Sequence, residues 1–567
     1  MYVWKYKTTS SSAKEAEELS RQCNIPKLLA LLFVNRNIKD ARDVRIYLKK
    51  TLDAVHDPAL FPEMDKATER IIRAIENKEK ITIYGDYDVD GVTSAALLTS
   101  FFRDRGVNAD YYIPDRESEG YGINVMAVNK ISKNGTKLLI TVDCGITACG
   151  EVELAKTLGM DVIITDHHLC KEKIPSAAAV IDAKTPGCTY PFDALAGVGV
   201  AFKLALSAAK ALGEKTSDCF FSYVELAAVG TIADVVPLQD ENRVIAEKGL
   251  KSLAAPKNIG LSALIKSSGA GEREINATSV AFMLAPRINA GGRLGSAATG
   301  VELLLCKDAE KAAELADELE TANRDRRLFE QKIYEEALEM IAADAEFDKK
   351  KVIVLAKKGW HHGVIGIVAS RITEKFYRPS IIIAIDEKGR GKGSGRSIEG
   401  FHLFNALSEC SDVLTNFGGH SAAAGVGLDE NDIEAFSKKI NAVAAKMMTE
   451  DMLVPKLDID FELPPAMATL ENAAMLEYME PFGAENPKPV FSISNARVKK
   501  ISKIGSDSMH LRLEIEKGGK ALNAVGFRMA DFADTKPAGS EISVAFTLEI
   551  NNFRGNKNVQ LILKDIK

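Results

Sequence analysis

The sequence predicts an α/β protein in three parts: a parallel-sheet domain with acids and histidines at its strand ends, joined by a long helix to a smaller α/β domain, plus a C-terminal β-barrel. Three observations lead there. Between residues 81 and 168, short β-branched runs ending in acid or histidine alternate with helical stretches, the mark of βαβ units and a sheet buried on both faces. Residues 308–346 are rich in Ala, Glu, Leu and Lys and hold neither Pro nor Gly, so they read as one uninterrupted helix. Beyond residue 456, segments alternate apolar and polar positions with turn residues between them, the period of strands with one face in a core.

A chain of 567 residues is too long for one core and calls for several domains. Residues 1–60 read as a helical, peripheral segment. The parallel-sheet domain is placed at 61–250. Its strands are Ile81-Thr82-Ile83-Tyr84, ending at Gly85-Asp86; Leu138-Leu139-Ile140-Thr141-Val142, ending at Asp143; and Val162-Ile163-Ile164-Thr165, ending at Asp166-His167-His168. A helical connector covers 251–349. The smaller α/β domain, at 350–453, carries strands at 352–355 and 380–383, a glycine-rich stretch at 389–400, and Phe417-Gly418-Gly419-His420. In the last domain, 454–567, the run 509–515 alternates cleanly, Gly518-Gly519 supplies a turn, and 521–527 returns. A further pair, 542–550 and 559–563, flanks the turn Phe553-Arg554-Gly555-Asn556; such strands point to an OB-fold.

Composition narrows the function. No run of eighteen apolar residues exists, so no membrane span is expected, and the polar N-terminus lacks a signal-peptide core, which places the chain in the cytoplasm. The eight cysteines form no C-x-x-C pair, which removes zinc ribbons and thioredoxin chemistry; they read as free thiols. A net charge of −6 argues against a broad basic surface that coats duplex DNA, but leaves room for a narrow site.

Ligands in open α/β sheets bind beyond the carboxyl ends of the strands. Asp86, Asp88, Asp90, Asp143, Asp166, His167 and His168 are therefore expected to converge, with Asp234 of Gly230-Thr231-Ile232-Ala233-Asp234 as a further candidate. Two unit charges 4 Å apart repel by roughly 4 kcal/mol at an effective dielectric of 20, so either protons or cations must sit among them. Carboxylate and imidazole at this density suit Mn²⁺ or Mg²⁺, and two such ions suit phosphoester or phosphoanhydride hydrolysis. A calcium loop is a poor alternative: Asp86-Tyr87-Asp88-Val89-Asp90-Gly91 opens like one, but Leu97 stands where the bidentate Glu belongs. Cys144 and Cys149 beside the acids read as packing residues. Gly393-Ser394-Gly395-Arg396-Ser397 looks able to bring backbone amides and an arginine fork to a phosphate. Arg116 and Arg287 are read as loop arginines. Phe553 and Arg554 are placed to stack on a base, though a plain surface hairpin explains them equally well. The Gly197-Val198-Gly199 stretch opens a helix but lacks the third glycine of a dinucleotide site, where Phe202 stands.

Together, the Asp86-to-Gly91 motif, Thr141-Val142-Asp143-Cys144-Gly145, Asp166-His167-His168 and Gly230-to-Asp234 resemble the DHH phosphoesterase superfamily. Trp360-His361-His362-Gly363 with the residues after it, the Gly393-to-Ser397 stretch, Phe417-Gly418-Gly419-His420 and Pro481-Phe482-Gly483-Ala484-Glu485-Asn486-Pro487 narrow the resemblance to the RecJ branch, from about residue 60 to the C-terminus. The resemblance implies a 5′→3′ exonuclease that degrades single-stranded DNA to mononucleotides in DNA repair and recombination. It implies two Mn²⁺ or Mg²⁺ ions, one on Asp88 and Asp143 with help from Asp86, the other on Asp90, Asp143, His167 and Asp234. His168 would meet the scissile phosphate. Arg116, Arg287, Ser394 and Arg396 would hold the 5′ phosphate, with His420 lining the cleft. The strand would thread between the two α/β domains, the barrel guiding it in. A single-strand-binding protein and a RecQ-type helicase are the partners it implies, on a chain most readily monomeric. The alternatives are a DHH phosphodiesterase acting on short oligonucleotides or cyclic dinucleotides, and a non-catalytic binding module. Small-substrate members are generally shorter and lack the barrel; non-catalytic ones lose metal ligands that are all present here.

Overall fold

The computed structural model describes every residue except Met1, Glu117, Tyr121, Arg273 and Arg554, and the side chain of Phe553. It divides into a larger unit, Tyr6–Ala322 with Ile459–Lys567, and a smaller one, Asn323–Asp458 with the N-terminal residues up to Lys5.

In the larger unit, β1 (Ile81–Gly85), β2 (Ala109–Tyr112), β3 (Leu138–Val142), β4 (Asp161–Thr165) and β5 (Ala179–Ile181) form one parallel sheet in the order β2-β1-β3-β4-β5. Period-two alternation sorts its side chains. Ile81, Ile83, Leu138, Ile140, Val142 and Ile163 face a core shared with α1 (Val89–Arg103) and, further along the chain, two long helices. Tyr84, Leu139, Val162 and Ile164 face the other way, against α2 (Val125–Lys133) and α3 (Cys149–Thr157). The long helices are α4 (Gly197–Ala211) and α5 (Thr216–Ala233). Both faces are covered, as a parallel sheet requires. Because β1 lies between β2 and β3, the strand order reverses there, and the loops after β1 and β3 diverge to opposite sides of the gap where ligands bind.

The barrel consists of β11 (Phe491–Ile504), β12 (His510–Lys517), β13 (Lys520–Gly526), β14 (Glu541–Phe553) and β15 (Asn556–Ile566); these are numbered after the strands of the smaller unit, given below. β11 pairs with both β12 and β14, and β13 pairs with β15, so the five strands close on themselves. The N-terminal segment is helical, as read from sequence, but it is not peripheral. Leu28, Leu29, Leu32 and Phe33 bury themselves in the same core as Phe491, Leu511, Leu513 and Phe546 of the barrel. Its apolar run Lys27–Val34 has no solvent face to give away.

α6 (Ala285–Leu294) precedes the long helix α7, which runs unbroken over Ala309–Ala343. The smaller unit then forms β6 (Ile353–Lys358), α8 (His362–Phe376), β7 (Ser380–Ile385), β8 (Arg390–Arg396), β9 (Asn416–Gly419) and β10 (Ala423–Asp429), with sheet order β9-β10-β8-β7-β6. Only β6 and β7 are parallel. Among the described residues no helix is long and apolar enough to cross a membrane.

Candidate metal centre

β1 stops at Gly85 and hands the chain to Asp86, 4% exposed. Asp88 caps α1, accepting from the Asp90 amide at 2.9 Å and the Gly91 amide at 3.1 Å. A Cβ on Gly91 would fall 2.4 Å from the Asp86 carbonyl oxygen, so the turn of the D-x-D-x-D-G motif closes only on glycine. Asp90 then points into the sheet edge, where the first two amides of α4 hold it: Gly197 at 2.7 Å and Val198 at 2.8 Å. A helix N-terminus is a ready-made carboxylate site. Gly197 also lies against Asp143; its Cβ would sit 2.6 Å from that of Asp143. Asp143 itself has a φ of 58°, a left-handed turn that swings its carboxylate off the end of β3.

His167, after β4, completes the arrangement. Its Nε2 lies 3.1 Å from Asp143 Oδ1 and 3.9 Å from Asp90 Oδ2, and its Nδ1 lies 3.7 Å from Asp234 Oδ2. Asp234 ends α5, and Gly230 one turn earlier allows the approach: a Cβ there would come within 2.3 Å of Thr93 Oγ1 and 3.1 Å of Asp90 Oδ1. Donor atoms thus gather in two sets, Asp86, Asp88 and Asp143 in one, Asp90, His167 and Asp234 in the other, each within 4.8 Å. His167 ties Asp143 to the second set, and Asp143, His167 and His168 make a third grouping.

Burial and mutual repulsion disfavour charge here. Burial first, then Asp88, pushes Asp86 up to about 7; the same two causes push Asp234 up to about 7. Asp90 and Asp143 are driven well above the carboxylate range by burial and by the neighbouring acids. Burial also lowers His167 to about 3, so its imidazole is neutral and fit to coordinate. Asp86 Oδ1 and both ring nitrogens of His167 are buried without a formed hydrogen bond. Oxygen and imidazole donors with unmet valence, in a place hostile to uncompensated negative charge, fit divalent cations.

Asp166, expected among the converging acids, has another task. Its Oδ1 accepts from His168 Nδ1 at 2.7 Å and its Oδ2 from the Ile146 amide at 2.9 Å. Burial opposes its charge, but the His168 bond and the amides outweigh it and hold the carboxyl below its usual range. In return, the Asp166 carboxylate raises His168 against the effect of burial. His168 is the more exposed of the pair, at 41% of its side chain against 10% for His167. Lys184, which sequence reading passed over, donates its ammonium to the His167 carbonyl. Nothing in its turn, Asp182-Ala183-Lys184, marks it in the sequence. Cys144 is a packing residue, its Sγ 3.8 Å from the Tyr84 carbonyl and its thiol pushed up by burial.

Arg116 stacks over Tyr87 of the first motif, 5.0 Å from the ring centre, and favours the charge on Asp86. Arg287 is no loop residue. It lies in α6, 5% exposed, with its guanidinium on Glu320 of α7 and on the Met283 carbonyl.

In the smaller unit the glycines of Gly393-Ser394-Gly395-Arg396 do not offer free amides. β8 pairs with β7 on one side and β10 on the other, so its backbone is spent on the ladder. Gly393 and Gly395 are small because Val426 and Leu403 press on them: a Cβ would meet Val426 Cγ2 at 2.6 Å and Leu403 Cδ2 at 2.9 Å. The alternate residues, Ser394 and Arg396, face α8, where Gly366 leaves room; its Cβ would lie 3.0 Å from Ser394 Oγ and 3.2 Å from Arg396 Nη2. Arg396 donates to Ser394 Oγ at 3.1 Å and the Gly395 carbonyl at 2.8 Å, and no acid pairs with it among the described residues. Burial pulls its pKa down, the sign of a cation kept without its counter-ion. The β8–β10 register sets Arg396 opposite Ala423, whose carbonyl takes the amide of exposed His420.

A parallel α/β sheet edged by one carboxylate donor set and one carboxylate–imidazole set is the arrangement of a divalent-metal phosphoesterase. Family models agree: the DHH family N-terminal domain matches residues 80–231, the DHHA1 domain 349–446 and the RecJ OB domain 459–565. The chain is 42% identical to the single-stranded-DNA-specific exonuclease RecJ of Bacillus subtilis (strain 168), over 97% of this chain and 69% of that protein. It is 34% identical to RecJ of Salmonella typhimurium (strain LT2) over 98% of each. The RecJ of Thermus thermophilus, solved in complex with Mn²⁺, superposes with a TM-score of 0.82 at 30% identity, over all of this chain and 79% of that one; its Mg²⁺ complex gives 0.77. The chain belongs to the RecJ family.

Proposed function

We propose that this chain is a 5′→3′ exonuclease that degrades single-stranded DNA to mononucleotides by two-metal phosphodiester hydrolysis, in DNA repair and recombination. The observation that carries the proposal is the pair of donor sets joined at Asp143, with His167 3.1 Å away. Asp86, Asp88 and Asp143 would hold one ion, and Asp90, Asp143, His167 and Asp234 the other. Mn²⁺ or Mg²⁺ bound there would supply a nucleophile at neutral pH and stabilise the leaving oxygen. The α4 amides keep Asp90 aimed, and Asp166 fixes the ring of His168 so that it donates to the scissile phosphate. Arg396 with Ser394 supplies the 5′-phosphate contact, a charge-assisted fork from a guanidinium that lacks an acid partner; His420 borders it. Arg116 is placed beside the metal acids to help hold the strand. Arg287, already neutralised by Glu320, positions α6 against α7 in addition to any phosphate contact it makes.

Polarity and end recognition are tested together with two labelled strands. Wild type should degrade a 5′-phosphorylated strand faster than its 5′-hydroxyl twin, and a bulky 5′ block should stop it. Arg396→Ala should narrow the preference for the phosphate. Degradation that proceeds equally from a blocked 5′ end would contradict the assigned direction.

A further inference from the structure

The barrel carries a concave patch that the metal chemistry does not use. A cavity of about 510 Å³ opens on its outer face, lined by Arg512, Asn523, Asn551, Asn556, Asn558 and Gln560 with a few apolar neighbours. These residues come from β12, β13 and the β14–β15 hairpin, the part of an OB-fold that receives oligonucleotides. The strand register gathers them: Asn551 stands opposite Asn558, and Arg512 opposite Val525. Directly opposed residues carry their Cβ atoms about 4.5–5.5 Å apart, so Asn551 and Asn558 present two carboxamides side by side.

Two features favour a nucleic acid over a solvated surface. The nearby acids are already neutralised, Glu514 by Lys500 at 2.7 Å and Glu549 by Lys488 at 2.8 Å, whereas Arg512 has no ion pair or side-chain hydrogen bond among the described residues. The patch therefore meets a phosphate backbone with one unspent positive charge. Next to Arg512 and Val525 the same two strands end in an aromatic pair, His510 against Phe527, with ring centres 5.4 Å apart and Phe527 61% exposed. An exposed aromatic is a stacking platform for any base. Carboxamides are different: each offers a donor and an acceptor in one plane, which matches adenine at N6 and N7. Sequence-tolerant binding needs only the platform and the charge. The added amides give the site something to read.

We propose that this face of the barrel reads bases, with Asn551 and Asn558 gripping an adenine that stacks beside Phe527 while Arg512 holds its phosphate. The proposal rests on the chain binding single-stranded DNA. It gives the protein base-dependent affinity along a strand, and so base-dependent pausing.

The test is fluorescence anisotropy with the full chain in EDTA, so that nothing is cleaved. The strands are a labelled oligo-dT and a series carrying one adenine, moved position by position. The adenine should tighten binding about fivefold or more at one or two positions, the lower range for a bidentate amide contact. The double variant Asn551→Ala/Asn558→Ala should bind both strands alike, and Arg512→Ala should weaken both equally. These side chains are exposed, so a thermal melt should match wild type. Equal wild-type affinity for all strands overturns base reading alone. Discrimination that survives the double variant overturns its assignment to this patch. Failure to bind any single strand overturns the functional reading beneath it.

Discussion

At the scale of residues, the centre depends on groups that cannot be donors at all. Gly91, Gly197 and Gly230 are where they are because a Cβ would strike Asp86, Asp143 or Thr93. Gly197→Ala should leave the fold intact but push Asp143 from its place, lowering metal affinity and activity together; Mn²⁺ titration of the variant reads the first directly. Asp166→Asn alters the carboxylate that orients the His168 ring and ties down the Ile146 and His167 amides. We expect a loss of about 10- to 100-fold in activity, the size typical of groups behind the ligands, with metal binding less affected. The strand-end acids and histidines were legible in the sequence, because strand ends in a parallel sheet must converge; Asp234, which ends α5, stood out only as an acid in an apolar segment. Three things were not. The division of labour that makes Asp166 a support for His168 depends on which way a side chain turns. The clamp of α4 on Asp90 joins residues 107 apart. The pairing of Arg287 with Glu320 joins a helix read as a loop to one read as a connector.

Among elements, β8 shows how a glycine-rich motif misleads about its own backbone. Its glycines suggested a loop wrapped around an anion. They are strand residues, thinned so that Val426 and Leu403 can close the core, and this leaves Ser394 and Arg396 on the opposite face. Gly393→Ala should therefore destabilise the protein by about 1–3 kcal/mol through overpacking, measured by denaturant unfolding, rather than acting through phosphate binding alone. The long helix and the barrel strands were legible, since each keeps its own period over many residues. The burial of the N-terminal helices against the barrel was not. A short apolar run such as Lys27–Val34 states that it is covered, never by what.

Over the whole molecule, two consequences follow from buried charge. In the larger unit, Arg243, 2% exposed, donates to the carbonyls of Glu480 at 2.7 Å, Tyr478 at 3.3 Å and Pro481 at 3.4 Å, and lies 3.7 Å over Tyr47. It clips the barrel's lead-in to the metal domain. Arg243→Met should leave the Tyr478 carbonyl unmet and take one donor from those of Glu480 and Pro481, which keep Lys50 and Asn486, at about 1–3 kcal/mol, and limited proteolysis should then release the barrel. The acids of the candidate centre give the second consequence. Without metal, Asp86 and Asp234 titrate near 7 when folded and near 3.8 when unfolded, so between these values the folded chain holds more protons. In EDTA, stability should therefore fall as pH rises from about 4 to about 8. Mn²⁺ should oppose that fall, adding about 2.7 kcal/mol per site at a hundredfold excess over its Kd.

The donor sets joined at Asp143 are proposed to hydrolyse a single strand from its 5′ end. The direct test is a digest of 5′-phosphorylated, 3′-labelled single-stranded DNA with Mn²⁺, wild type beside Asp143→Ala. Wild type should shorten the strand progressively from the 5′ end and release mononucleotides, and the variant should do neither. An intact strand that is nevertheless bound, or cleavage confined to very short oligomers, would contradict that proposal.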